Sequence, residues 1–185
     1  MKSRFTDPQS FKNHLFEQFK ERKNTKDHWL KQGVLATAGV TGVPSVRTVV
    51  IRHITEDITL EIHSDSRSNK VLDVQMNPNA EILFYNTDTQ IQLKCSGKMT
   101  AVFSGPSADA AWENIPEPSR KQYTTLLAPG TVIDQFKQLK YKPLRHFCLL
   151  QLHTESIEYL QLGDPHIRMR LSKKEGKEIL ENLVP

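Results

Sequence analysis

Ile58, Leu60 and Ile62 alternate with Thr59, Glu61 and His63. A period of two sends successive side chains to opposite faces of a pleated strand, so this stretch buries one face only as a strand. The alternation returns where Ile91, Leu93 and Cys95 oppose Gln90, Gln92 and Lys94, within a strand expected over 90–103. Apolar or β-branched runs at 34–40, 46–53, 81–85, 146–153, 156–161 and 166–171 predict further strands, separated by polar turns such as Thr41-Gly42-Val43-Pro44 and residues 86–89. The tail, 177–184, fits a last strand or a short helix.

Helical spacing is confined to three places. Phe11, Leu15, Phe16 and Phe19 predict a helix over 9–22, followed by a linker at 23–27. Ser64-Asp65-Ser66-Arg67-Ser68 is rich in N-cap residues and predicts a helix over 69–75 that stops before Pro78. Residues 106–140 read as a helical insert: one helix opened by Pro106 and broken at Pro116 and Pro118, one over 119–127 ended by Pro129-Gly130, and one over 132–139. Strands and helices do not alternate regularly, which argues against a doubly wound nucleotide fold. The order predicts an antiparallel β-barrel with peripheral helices, a mainly β or α+β architecture. The 185 residues suit one domain, 1–185, with 1–27 as N-terminal helix and linker and 106–140 as insert.

Composition narrows the partners. No apolar run reaches the roughly 20 residues that span a bilayer, and the N-terminal residues show no signal-like apolar stretch, so a cytoplasmic protein off the membrane is expected. Cys95 and Cys148 lie in strand-like stretches without metal spacing and are expected to be buried free thiols. The net charge of +4 is spread over several interrupted clusters rather than one block, so no nucleic-acid partner is expected. The seven histidines show no ligand spacing, and no phosphate-loop, zinc-protease or nucleophile-elbow motif is present.

Residues 45–70 carry the chemistry. Ser45-Val46-Arg47-Thr48-Val49-Val50-Ile51-Arg52 sets two arginines into an apolar strand, and His63-Ser64-Asp65-Ser66-Arg67-Ser68-Asn69-Lys70 opens a helix. A helix N-terminus favours phosphate, and arginine offers a planar fork of donors matched to it. Solvated strand arginines beside an ordinary capped helix would read the same way. Arg47 and Arg52 are five apart, so a regular strand points them to opposite faces, and serving one ligand together requires a bend at Arg52.

These segments, in this order, resemble the pyridoxamine 5′-phosphate oxidase-like FMN-binding split barrels over about residues 30–185. Arg47–Arg52 is similar to that family's Arg-x-Val-Leu-Leu-Lys strand, and His63–Lys70 to its Tyr-Thr-x-x-x-Ser-Arg-Lys loop. Gln92 in Ile91-Gln92-Leu93-Lys94-Cys95-Ser96-Gly97 is similar to its Arg-Gln-Val-x-x-x-Gly strand, and Ile157–Gln161 and Arg168–Arg170 to its last flavin-contacting strands. The resemblance implies an antiparallel split β-barrel and an FMN site. Arg47, Arg52 and Lys70 would hold phosphate and ribityl chain, with Thr48, Val49 and Val50 along the ring. His63 and Ser64 would sit beside the cofactor, Gln92 at the ring edge, and Arg170 would come from the second subunit of a homodimer.

Three departures qualify the resemblance. Asn69 stands at the family's arginine position, with Arg67 near enough in sequence to reach back. Leu160 replaces a tryptophan. Ile115-Pro116-Glu117-Pro118-Ser119 lacks the arginine of the family's Arg-Pro-x-x-Ser segment. What is implied is an FMN-dependent oxidoreductase with a small-molecule substrate other than pyridoxamine phosphate. A true pyridoxamine or pyridoxine 5′-phosphate oxidase, and a non-catalytic flavin module, are the alternatives.

Overall fold

The computed structural model describes residues 5–22, 24–39, 41–135 and 139–185. Helix α1 (Pro8–Glu21) begins where the Asp7 carboxylate accepts from the Ser10 N–H at 2.9 Å, with Pro8 in the first turn. Its apolar stripe, Phe11, Leu15 and Phe19, is buried in the same core as the strands. Phe11 meets the Tyr159 ring edge-on and Phe19 meets Phe84. Burying three such side chains contributes roughly 5–8 kcal/mol, which docks the helix without help from its polar face.

Eight strands follow: β1 (Gln32–Ala38), β2 (Pro44–Ile54), β3 (Thr59–Asp65), β4 (Asn79–Asn86), β5 (Ile91–Val102), β6 (Phe147–Gln161), β7 (Ile167–Lys174) and β8 (Lys177–Leu183). All pairings are antiparallel, in the order β3-β2-β1-β4-β5-β6-β7-β8, and β3 also pairs with β6. That last pairing closes six strands into a barrel, with β7 and β8 as an added hairpin. The interior is filled by the inward members of each alternation, among them Leu35, Ile51, Ile62, Ile82, Leu93 and Leu152. Helix α2 (Asn69–Met76) joins β3 to β4, and α3 (Pro106–Glu113) and α4 (Glu117–Arg120) follow β5. The expected split barrel with peripheral helices is thus what the chain forms. Among the described residues no helix is long and apolar enough to cross a membrane.

Strand β6 departs from expectation, since 146–153 and 156–161 form one strand of 15 residues. Its pairing with β5 steps from Ser96↔Ser156 to Gly97↔Thr154, so Glu155 is an extra residue. The strand bends at this bulge instead of breaking. Its first half pairs with β3 and its second half with β7. A Cβ on Gly97 would lie 2.0 Å from the His153 carbonyl oxygen, so the close approach at the bulge admits only glycine.

The insert also differs. Instead of a helix over 119–127 there is α4 and a single 3-10 turn, Lys121–Tyr123. Beyond it the backbone bonds elsewhere: Leu126 N–H donates to Lys140 O, and Lys142 N–H to Thr124 O. Of the helix expected over 132–139, residues 132–135 and 139 are not helical, and 136–138 lie outside the described residues. The expected linker and first strand likewise include Lys23 and Val40, which lie outside them too. The tail expected as strand or helix is the strand β8.

Gly97→Ala should lower unfolding free energy by more than about 2 kcal/mol in a denaturant titration, because neither backbone segment at the bulge can withdraw from the new methyl group.

Candidate functional site

Along β2, Arg47, Val49 and Ile51 point toward the barrel side, and Thr48 and Val50 point out. The β2–β3 register then moves from Ile51↔Ile62 to His53↔Glu61. Arg52 is the extra residue of this second bulge, and Arg52 and His53 are both exposed. A cleft of about 290 Å³ lies against β2, β3 and the start of α2. Thr48, Val50, Arg52, His63, Ser64, Ser68 and Lys70 line it, Val49 borders it with its side chain buried in the core, and Gln122 and Tyr123 of the insert close one side.

At the α2 end of the cleft three donors converge. Lys70 Nζ lies 3.4 Å from Ser64 Oγ and 3.3 Å from Ser68 Oγ, and the two hydroxyls are 2.9 Å apart. Ser68 is the N-cap of α2, yet its side chain makes no capping bond, which leaves the first-turn N–H groups without a side-chain acceptor. Burial, and then the positive charge of Arg47, hold the Lys70 ammonium below the ordinary lysine range. Lys70 makes no ion pair among the described residues. A half-buried positive charge grouped with two hydroxyls at a helix N-terminus is a chemical match for a phosphate ester.

The other candidate residues are placed as follows. Arg47 does not line the cleft. Its guanidinium donates to Thr37 Oγ1 at 2.6 Å, to Ser45 Oγ and to the buried Asp73 carboxylate at 3.3 Å, so it stands behind Lys70 as one half of an ion pair. Asn69 is exposed on the first turn of α2. Arg67 does not reach back to Asn69's side of the cleft. It grips Asp65 through Nε at 3.0 Å and Nη2 at 2.8 Å, and also donates to the carbonyls of Thr125 and Leu126.

Gln92 and Arg170 share the outer face of β5, β6 and β7, where Gln92 pairs with Leu160 and Glu158 with Arg170. Leu149, the β6 partner of His63, is eleven residues from Leu160, roughly 36 Å of strand. Gln92 and Arg170 therefore lie on a different surface of the chain from the cleft, and Arg170 there holds Glu181 at 3.0 Å.

The insert contributes to the site as well. Tyr123 lies in the insert, yet it lines the cleft together with Arg52, and burial raises its pKa. Beyond Tyr123 the cleft continues into a hollow of about 640 Å³ between β3 and α3, sharing Arg52, His63, Gln122 and Tyr123 with it. Its walls include Glu61, Asn114, Ile115 and Ser119. Trp112, Tyr123 and Phe147 pack as a small aromatic cluster against this wall. The cysteines take no part: both are buried, and burial pushes each thiol up to about 12.

With this geometry in view, comparison with known proteins is decisive on one point. The sequence pattern described as "Pyridoxamine 5'-phosphate oxidase, FMN-binding domain" matches residues 8–103. The chain belongs to this family. Pyridoxine/pyridoxamine 5'-phosphate oxidase 2 of Arabidopsis thaliana is 32% identical over 142 residues, 69% of this chain and 72% of that protein. Pyridoxine/pyridoxamine 5'-phosphate oxidase of Acinetobacter baumannii is 28% identical over 173 residues, 82% of this chain and 76% of its own. Two crystal structures share the fold. A pyridoxamine 5'-phosphate oxidase-related FMN binding protein of Nostoc punctiforme superposes with TM-score 0.79 at 24% identity, covering 98% of this chain and 100% of its own. PhzG of Burkholderia lata, in complex with tetrahydrophenazine-1-carboxylic acid, gives 0.78 at 18%, covering 94% and 91%. The FMN-binding domain of the family therefore spans α1 to β5, the part of the chain that carries the cleft strands and the α2 N-terminus.

His63 packs edge-on against Phe147 at 5.1 Å, and burial, followed by the Arg52 charge, lowers its pKa from 6.5 to about 4. The folded protein then binds fewer protons than the unfolded chain between these values, so stability is fully present above 6.5 and is lost as pH falls toward 4. Thermal unfolding should show a steeper loss for wild type than for His63→Gln between about pH 7 and about pH 5, where an ordinary histidine takes up its proton; equal slopes would mean that the ring is not held neutral.

Proposed function

We propose that the cleft binds FMN and that the chain works as an FMN-dependent oxidoreductase on a small molecule held in the adjoining hollow. The observation that carries this reading is the meeting of Lys70 Nζ with Ser64 and Ser68 at the start of α2. A phosphate there would gain a full positive charge, two hydroxyl donors and the N–H groups of Asn69 and Lys70 at the start of the helix, the Val71 N–H being taken by Ser68 O. Arg47, locked to Asp73, would add its charge from behind rather than by contact. Thr48, Val49, Val50 and Arg52 would run beside the ribityl chain and ring. His63 would face the ring uncharged, able both to donate and to accept. Asn69 in place of arginine would leave the phosphate one cation poorer. Bound FMN would supply the electron transfer; the chain's residues bind it, orient it and keep water away.

Gln92 and Arg170 enter this reading through a second copy of the chain. Their surface is remote from their own cleft, so a homodimer in which each β5–β7 face meets the partner's cleft would unite the two halves of the site. Arg170 would then exchange Glu181 for the ring edge.

The hollow bears on the substrate. Among the described residues Arg52 is the one lysine or arginine in its lining, and the Glu61 carboxylate, held by Gln151 at 2.9 Å, faces the same space. A phosphate dianion entering would meet this carboxylate with a single cation in compensation, which favours an unphosphorylated molecule. The names of the Arabidopsis and Acinetobacter relatives favour a second reading, pyridoxine or pyridoxamine 5′-phosphate oxidation.

The purified protein is expected to show a flavin absorption spectrum or to gain stability on adding FMN, by about 2.7 kcal/mol at a hundredfold excess over the dissociation constant. A colourless protein that FMN does not stabilise sinks the reading. Lys70→Met should weaken FMN by about tenfold or more, since a charged hydrogen-bond donor is lost. Pyridoxamine 5′-phosphate should produce no peroxide with the FMN-loaded protein; steady turnover would establish the second reading instead. FMN binding without turnover of any donor would leave a flavin-binding module.

A further inference from the structure

We infer that Arg22, at the end of α1, is a positioning residue for the cleft: its guanidinium holds the β2 bulge from which Arg52 reaches outward. The inference takes its ligand from the FMN reading above, but its geometry stands independently. The β1–β2 ladder runs out at Gln32↔Val50, and the Ile51 N–H makes a last bond to Lys31 O at 2.9 Å. From Ile51 onward that edge of β2 has no strand beside it among the described residues. Arg22 fills the place of one. Its Nη1 donates to Ile51 O at 2.6 Å and its Nη2 to Arg52 O at 3.4 Å.

The side chain is buried, at 4% exposure, and makes no ion pair among the described residues. Its Nε is buried without a hydrogen-bond partner. Helix docking does not ask for this, because Phe11, Leu15 and Phe19 already fix α1. A buried guanidinium with an unmet donor is a net cost unless the carbonyls it satisfies would otherwise be stranded. Those carbonyls belong to the bulge that puts Arg52 beside Tyr123, at the junction of cleft and hollow. A bulge left without these donors could slip in register and turn Arg52 off the outer face.

A double-mutant cycle tests this, with FMN dissociation constants read from flavin fluorescence for wild type, Arg22→Met, Arg52→Ala and the double variant. Arg22→Met should weaken FMN about tenfold by removing donors to two carbonyls, and should cost less than about twofold once Arg52 is alanine. Losses that simply add, or no loss from Arg22→Met, overturn the inference. If Arg22→Met does not fold, Arg22→Lys, which retains the charge and can reach one carbonyl, runs the same cycle and should fall between wild type and Arg52→Ala.

A second readout needs no flavin. In the ligand-free protein, Arg22→Lys should shift the Arg52 side-chain Nε–Hε resonance and speed amide exchange over residues 51–54, while amides of β4 and β5 stay as in wild type. If these signals do not move, Arg22 only docks the helix. Should wild type bind no FMN, the flavin reading fails and this second readout still decides the role of Arg22.

Discussion

One strand holds the molecule closed. β6 pairs with β5 through both of its halves, and its other edge passes from β3 to β7 where Glu155 bulges over Gly97. Without the β3 pairing there is no barrel, and without the change of neighbour there is no place for the β7–β8 hairpin. The cleft depends on this closure, because His63 on the outer face and the buried Ser64 beside it are fixed by their partners Leu149 and Cys148 on β6. The apolar run at the start of β6 follows from the same position. Cys148 and Leu150 face the core, while Phe147 and Leu149 are covered by Trp112, Tyr123 and Ala108 of the insert.

Much of this could be read from the chain, for physical reasons that also mark where reading stops. Alternation in β3 and β5 is legible because Leu60, Ile62, Leu93 and Cys95 are buried while Glu61, His63, Gln92 and Lys94 are not. The short helix α2 announced itself through the N-cap residues before it. The insert misled because helix-forming composition at 119–127 is overruled by distant partners: Lys140, Lys142 and Arg67 take the backbone groups of 124–126 that a helix would have used. The pattern of β6 looks like two strands because the bulge residue Glu155 breaks the alternation as a turn does.

The site was legible in part for the same reason. The loop at 63–70 and the outward set Thr48, Val50 and Arg52 follow from local pattern, and the structure brings them to one cleft. The opposite facing of Arg47 and Arg52 was also foreseeable from their spacing. That Arg47 would be committed to Asp73 was not, since Asp73 lies 26 residues away and its burial depends on the closed barrel. Gln92 and Arg170 come from resemblance alone, and no periodicity could say which surface they would share. Arg22 carries no local signal, because its contacts with the Ile51 and Arg52 carbonyls are made only after folding.

Arg67 has a consequence for how tightly this chain can grip an anion. Its guanidinium spends its donors on Asp65 in the β3–α2 loop and on Thr125 and Leu126 in the insert, so it serves as a latch between two parts of the chain. Swinging it toward the mouth of α2 would supply the cation that Asn69 does not, but only by releasing the segment that walls the hollow and leaving Asp65 buried and unpaired. If the cleft holds FMN as proposed, firm anchoring of its phosphate and a closed wall around a reactant would oppose each other. The chain as built favours the closed wall and leaves Lys70 as the principal point charge.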